Sequence, residues 1–282
     1  MRPIVVLVSR IRVEEKLLLG ELERRGIPVE VLDTRTAAFG MERLDGRYRG
    51  ALSREISHTR NLYASRLLEH AGLRVVNDSK VVALCGDKLL TTLALREARL
   101  PVPRCMVTLT PGAALEALDG FGYPAVVKPL TGSWGRLAAR LGGRDAAEAV
   151  LEHREALPGP ANQITYVQEY IDKPGRDIKA YVLGGEVVGA IYKVSSQWRT
   201  NTARGGHTQV CPLDDDLVKL LGATAEAIGD GVLGIDVIED RDGNRFVNEV
   251  NHTPEFHGAI EVLGTGLVGR YVDHVLERLD ER

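Results

Sequence analysis

The chain reads as an α/β protein of α+β character, with an N-terminal parallel-sheet domain followed by two α+β segments. Three observations predict this. Short strands and helices alternate through the first 85 residues. Leu100-Pro101-Val102-Pro103 forces an extended chain where a second module begins, and beyond Pro160 apolar and polar residues alternate with period two.

In the first segment, residues 4–8 form a β-branched and aliphatic run. A helix is expected over 13–25, with Leu17, Leu18 and Leu22 on its inner side and a stop at Gly26 and Pro28. A strand follows at 29–32, a helix at 58–70 closed near Gly72, and a strand at 73–77. Such alternation implies parallel strands covered by helices. The turn Ser9-Arg10-Ile11-Arg12 has no G-x-G-x-x-G, so nothing supports a dinucleotide fingerprint.

Asp87 is placed to cap a helix running through Lys88, Leu89, Leu93 and Leu95. Next come a strand near 105–109, a helix near 113–118, the strand 125–128, a glycine-rich loop over 131–136 and a helix near 145–155. After Pro158-Gly159-Pro160 a strand at 164–169 leads into antiparallel strands near 178–183, 187–192, 233–238 and 245–250. Helices are expected near 214–228 and 268–279. The expected units are therefore 1–85, 86–166 and 167–282.

Composition excludes several classes. With 44% hydrophobic residues and 27% charged among 282, the chain can bury a substantial core. Its longest apolar runs fall far short of the roughly 20 residues of a membrane span, so no membrane partner is expected. No signal-peptide pattern opens the sequence, and a cytoplasmic location is expected. Cys85, Cys105 and Cys211 stand too far apart for a zinc motif or a disulfide framework. A net charge of −3 argues against nucleic acid as a partner. Residues 1–66 nevertheless hold 13 Lys/Arg against 9 Asp/Glu, which is either surface scatter or a docking face for an acidic partner.

Four constellations carry chemistry. The strand ending in Lys128 runs into a loop containing Gly132, Ser133, Trp134, Gly135 and Arg136. A lysine charge and glycines that let backbone N–H groups approach suit a phosphate; a solvated turn is the plainer alternative. It is not G-x-x-x-x-G-K-[ST], because the lysine precedes the glycines. Period-two geometry puts Glu249 and Asn251 on one face of a strand, and a neighbouring strand can aim Asp236 at the same point. Three hard oxygen donors suit magnesium, although a polar outer sheet face reads the same way. In the polar loop 199–206, Arg204 can pair bidentately with phosphate or carboxylate, or lie in an exposed basic turn. Finally, Gln168-Glu169-Tyr170-Ile171 ends a strand in a potential hinge, and Asp177 and Lys179 share a face of the strand that follows.

Taken in order, Gly86-Asp87-Lys88, Val126-Val127-Lys128-Pro129, Gly132-Ser133-Trp134-Gly135-Arg136, Gln168-Glu169-Tyr170-Ile171, Gly175-Arg176-Asp177-Ile178, Asn201-Thr202-Ala203-Arg204-Gly205-Gly206 and Asn248-Glu249-Val250-Asn251-His252-Thr253 resemble the ATP-grasp ligases. The likeness spans nearly the whole chain and is to the RimK-like branch, nearest its LysX/ArgX group. That group attaches 2-aminoadipate, or glutamate, through the amino group to the C-terminal glutamate of a small acidic carrier protein, LysW.

The resemblance implies an ATP-grasp fold in which two α+β subdomains clamp ATP. Lys88 and Lys128 would hold its phosphates, with the 132–136 loop closing over them. Gln168, Glu169, Tyr170 and Ile171 would lie beside adenine, with Asp177 and Lys179 nearby. Lys179 stands where relatives often carry arginine, which keeps the charge but not the bidentate fork. Asp236, Glu249 and Asn251 would hold Mg²⁺, expected as two ions. Asn201, Arg204 and Lys128 would be catalytic, and Arg204, Gly205, Asn251, Thr253 and Gly258 would meet the acidic substrates. The stretch His257-Gly258-Ala259-Ile260-Glu261-Val262-Leu263-Gly264 departs from the hydroxyl-rich form of aminoadipate enzymes and leans to glutamate. A homo-oligomer, dimer or tetramer, is also implied. Two alternatives stay open: a RimK-type glutamate ligase acting on another protein tail or small coenzyme, and a non-catalytic ATP-binding regulator.

Overall fold

A computed structural model describes residues 1–44, 46–132, 135–200 and 206–281. The first sheet contains β1 (Ile4–Val8), β2 (Val29–Asp33), β3 (Gly50–Ser53) and β4 (Val75–Val76), in the order β2-β1-β3-β4 and parallel throughout. Helices α1 (Val13–Arg24) and α2 (His58–His70) cover it as the alternation predicts. Strand β3 was not expected. It reads only Gly-Ala-Leu-Ser, too short and small for a visible apolar run, yet every residue is buried because it sits inside the sheet.

Two helices lead on from this sheet. Asp78 caps α3 (Ser79–Gly86), and Asp87 caps α4 (Lys88–Glu97) by accepting from the backbone N–H groups of Leu89 and Leu90 at 2.8 and 3.2 Å. Lys88 is thereby the first residue of α4. The inner faces of both helices, at Val81 and Leu95, pack into the core of the third sheet rather than the central one.

The central sheet holds β5 (Cys105–Thr108), β6 (Ala125–Lys128), β7 (Ala139–Leu141) and β8 (Thr165–Glu169) in the order β5-β8-β6-β7. Helices α5 (Pro111–Phe121) and α6 (Arg144–Glu155) pack on it through Leu118 and Leu151, and α7 (Pro160–Gln163) precedes β8. Strand β8 pairs with β5 on one side and β6 on the other. The expected boundary at 166/167 therefore falls inside an inner strand of this sheet. Local alternation identifies a strand but not the sheet that takes it.

The third sheet is antiparallel. It comprises β9 (Arg176–Leu183), β10 (Glu186–Val194), β11 (His207–Val210), β12 (Val232–Glu239) and β13 (Arg245–Asn251), ordered β11-β10-β9-β12-β13. Helix α8 (Asp215–Ile228) covers one face, while α9 (His257–Leu263) and α10 (Gly266–Asp280) lie towards the first sheet. Ile4, Leu18 and Leu22 share one core with Tyr181, Phe256, Tyr271 and Val272, so the first and third sheets are packed as one body. Among the described residues, no helix is long and apolar enough to cross a membrane.

Candidate active site

One cavity lies where the three sheets meet. It is lined by Lys88, Lys128, Gly132, Gly135, Arg136, Gln168, Glu169, Tyr170, Ile171, Asp177, Lys179, Asp236, Glu249, Asn251, Thr253 and Gly258. The chain thus brings together sequence-selected residues spread over 170 positions. Ser133, Trp134, Asn201, Arg204 and Gly205 lie outside the described residues.

Strand β6 delivers Lys128 from an otherwise buried run. Its Nζ donates to Gln168 Oε1 at 2.5 Å and to Asn248 Oδ1 at 2.9 Å. Burial lowers the Lys128 pKa from 10.5 to about 8, with Lys88 also lowering it and Glu249 partly offsetting both. A half-buried ammonium held by two neutral amide oxygens is a poised anion receptor. Lys88, at the start of α4, donates to the carbonyl of Gly132 at 2.9 Å and stands 4.0 Å from Glu249 Oε1. Its backbone N–H donates to Leu130 O at 3.0 Å, so the loop after β6 is tied to the helix that carries the second lysine.

The strand end after β8 is braced by backbone and rings. Glu169 Oε1 accepts from the backbone N–H of Arg104 at 2.5 Å, Tyr170 N–H donates to Pro124 O at 3.3 Å, and the Arg140 guanidinium lies 4.2 Å from the Tyr170 ring centre. Asp177 is already occupied. Both its oxygens accept from Lys173 Nζ at 2.7 Å, and Thr200 donates to it as well.

The oxygen set forms as the alternation predicts. Asp236 on β12 is registered with Glu249 on β13, and Asn251 Nδ2 donates to Asp236 Oδ2 at 2.9 Å. Two carboxylates and an amide lining one cavity match the hard-oxygen preference of magnesium, with remaining positions left to phosphate and water. Among the described residues, no three His, Cys, Asp or Glu side chains cluster as a metal site, so a metal held here would need Asn251 and oxygens from a ligand as well. Burial raises the Asp236 pKa, but Lys193 and Lys179 outweigh it and hold the carboxyl below its ordinary value.

Sequence reasoning missed Lys193, Lys173, Asn248 and Arg12, all of which line the cavity. Lys193 follows the expected end of its strand by one residue, and the observed β10 continues to Val194. Asn248 stands inside a selected motif but was passed over for its neighbours. Arg12 leaves the turn after β1 and carried no local signal beyond its charge.

Residues 4–84 match the LysX preATP-grasp domain, and residues 85–275 match the RimK-like ATP-grasp domain. The chain belongs to the ATP-grasp ligases of the RimK-like family. This ATP-grasp ligase is 34% identical over 274 residues to the glutamate–LysW ligase ArgX of Sulfolobus acidocaldarius, covering 96% of this chain and 97% of that one. It is 35% identical to the alpha-aminoadipate–LysW ligase LysX of Saccharolobus solfataricus, over 89% of this chain and 92% of that one. Among solved structures, a RimK domain ATP-grasp protein from Sphaerobacter thermophilus superposes with a TM-score of 0.80 at 26% identity, covering 95% and 98% of the two chains.

Proposed function

We propose that this ligase joins the amino group of glutamate or 2-aminoadipate to the C-terminal glutamate carboxylate of a small acidic LysW-type carrier protein, through an acyl phosphate formed at the expense of ATP. The observation that carries this is that Lys88, Lys128, Asp236, Glu249 and Asn251 line one cavity. Full-length similarity to ligases named for LysW supports the choice of acceptor.

A carboxylate is a poor electrophile until one oxygen becomes a leaving group. Lys88 and Lys128 are assigned to the phosphates, where a charged donor at each oxygen stabilises the in-line transfer. Gly132, Ser133, Trp134, Gly135 and Arg136 are assigned to a cover that would keep water from an acyl phosphate. Gln168, Glu169, Tyr170 and Ile171 border the adenine, with Asp177 and Lys179 on the nucleotide side. Asp236, Glu249 and Asn251 would hold magnesium, proposed as two ions. When bound, the metal offsets negative charge on the phosphate oxygens.

Asn201 and Arg204 are assigned to the transferred phosphoryl group, and Arg204 would donate to the oxyanion formed when the amine attacks the acyl carbon. Gly205, Asn251, Thr253 and Gly258 meet the acidic substrates. The small and apolar run after His257 favours glutamate over the longer homologue, although one methylene is worth only about 1–3 kcal/mol and both substrates are physically accessible. The reading extends to a cytoplasmic homodimer or tetramer and to three working units, with the first ending near residue 85.

The test is a mass-shift and ADP-release assay with a LysW-type carrier and a panel of glutamate, 2-aminoadipate and aspartate. Carrier mass rising by one acidic residue, dependent on ATP and magnesium, supports the proposal. ADP release that ignores the carrier, or modification of a small coenzyme instead, defeats it.

A further inference from the structure

The cavity is lined from two parts of the chain. Lys88 and Lys128 belong to one, and the segment after β13 supplies the other through Thr253, Glu255, His257 and Gly258, joined by Arg12. Five backbone groups of that segment are held by distant side chains. Asn77 Nδ2 donates to His252 O at 2.7 Å, Arg54 Nη2 to Pro254 O at 3.2 Å, and the Tyr181 hydroxyl to Glu255 O at 3.0 Å.

The other two of these groups converge on one carboxylate. Glu14 Oε1 accepts from the backbone N–H groups of Phe256 and His257 at 3.2 and 3.3 Å, and faces His257 Nδ1 at 2.5 Å. Phe256 precedes α9 and offers no side-chain cap, so Glu14 caps α9 from 242 residues away. Neighbouring Glu15 completes the brace by accepting from the fully buried Arg54 Nε at 2.9 Å. Burial pushes Glu14 towards protonation, yet the His257 and backbone hydrogen bonds outweigh it and hold the carboxyl below its ordinary value. An ionised Glu14 requires the proton on His257 Nδ1.

We propose that Glu14 is a positioning residue for the amine-donor part of the cavity: by capping α9 across the interface it fixes His257 and Gly258 against the space the acidic amino acid takes. The first domain thereby sets the shape of a pocket whose walls come from the third sheet and its following loop. This inference rests on the ligase reading above. Its energetic logic is that a buried carboxylate with three donors cannot shift without leaving each donor unpaired.

The experiment compares Glu14→Ala and Glu14→Gln with the wild-type full chain. Steady-state kinetics are measured with ATP, carrier and glutamate or 2-aminoadipate, and amide hydrogen exchange is followed at Phe256 and His257. Glu14→Ala is expected to raise KM for the amino acid by about 10-fold or more and leave KM for ATP within about twofold. Exchange at the two amides should accelerate by a similar factor. Glu14→Gln keeps an acceptor oxygen at the same place and should recover most of both effects, which a generally weakened fold would not do. Equal rises in both KM values, an unchanged amino-acid KM, or unchanged exchange in Glu14→Ala would overturn the proposal. If the wild-type chain used neither amino acid, the ligase reading would fall, while the exchange comparison would still decide whether Glu14 holds α9.

Discussion

Lys193 reaches from β10 across β9 to donate to Asp236 Oδ1 on β12 at 2.5 Å, with the two side chains only 14% and 13% exposed. The ammonium therefore places positive charge on a carboxylate assigned to magnesium. Lys193 is held above its ordinary pKa by Asp236 and Asp177, although its burial acts in the opposite direction. On that assignment, lysine and metal would compete for the same oxygen donor. Replacing Lys193 with Met removes the competitor and leaves Asp236 buried without its closest counter-charge, a loss of about 3–5 kcal/mol in comparable pairs. Thermal denaturation should show a lower Tm for K193M without magnesium and a larger Tm gain on adding it than in wild type. Equal gains in the two proteins would mean that Lys193 does not share the metal's ligand.

Lys128 carries a pH dependence. Its pKa of about 8 means that the protonated form, which attracts phosphate, is complete only well below pH 8. Above that value nucleotide binding must take up a proton. Affinity should fall by up to about tenfold per pH unit until the pKa of the bound state is reached. Calorimetric titration of ADP between pH 7 and 9.5 reads this directly. Lys128→Arg, whose charge persists across the range, should flatten the profile. A wild-type curve as flat as the arginine variant's would remove Lys128 from the phosphate site.

The same cavity predicts two losses of activity. Lys128→Ala and Glu249→Gln are each expected to lower ATP turnover by about 10²–10³ while circular dichroism stays native. Neither residue supplies core packing, since Lys128 and Glu249 both face the cavity. Near-wild-type turnover in either variant would detach the two lysines and the oxygen set from the chemistry.

These residues were legible because their signals are local. The buried Ala-Val-Val run before Lys128 marks a strand end, the Asp87 cap marks a helix start, and alternation through β13 puts Glu249 and Asn251 on one face. Strand β3 escaped because Gly-Ala-Leu-Ser becomes buried only through its two neighbours. The membership of β8 escaped because hydrophobic pattern records exposure, not partners. The clamp on residues 252–257 left no trace at all. Glu14, Arg54 and Asn77 read as ordinary polar residues of the first domain, and their burial depends on packing with chain that follows some 170 to 240 positions later.

Asp214 gives a stability prediction away from the cavity. It caps α8 by accepting from Leu217 N–H at 2.8 Å and pairs both oxygens with Arg245 at 2.7 Å. Hydrogen bonds from Arg245 and then from Leu217 lower its pKa from 3.8 to about 2. The unfolded chain consequently takes up this proton first as pH falls. The stabilisation is complete above about pH 4 and is lost between there and pH 2. Because the side chain is 53% exposed, solvent screens much of the ion pair, and the cap is the more dependable part. Asp214→Ala should cost about 1 kcal/mol at pH 7, measured by urea denaturation. The gap between variant and wild type should close as pH approaches 2. A gap that stayed constant from pH 7 to 2 would show that the ionised carboxylate contributes nothing beyond the side chain's size.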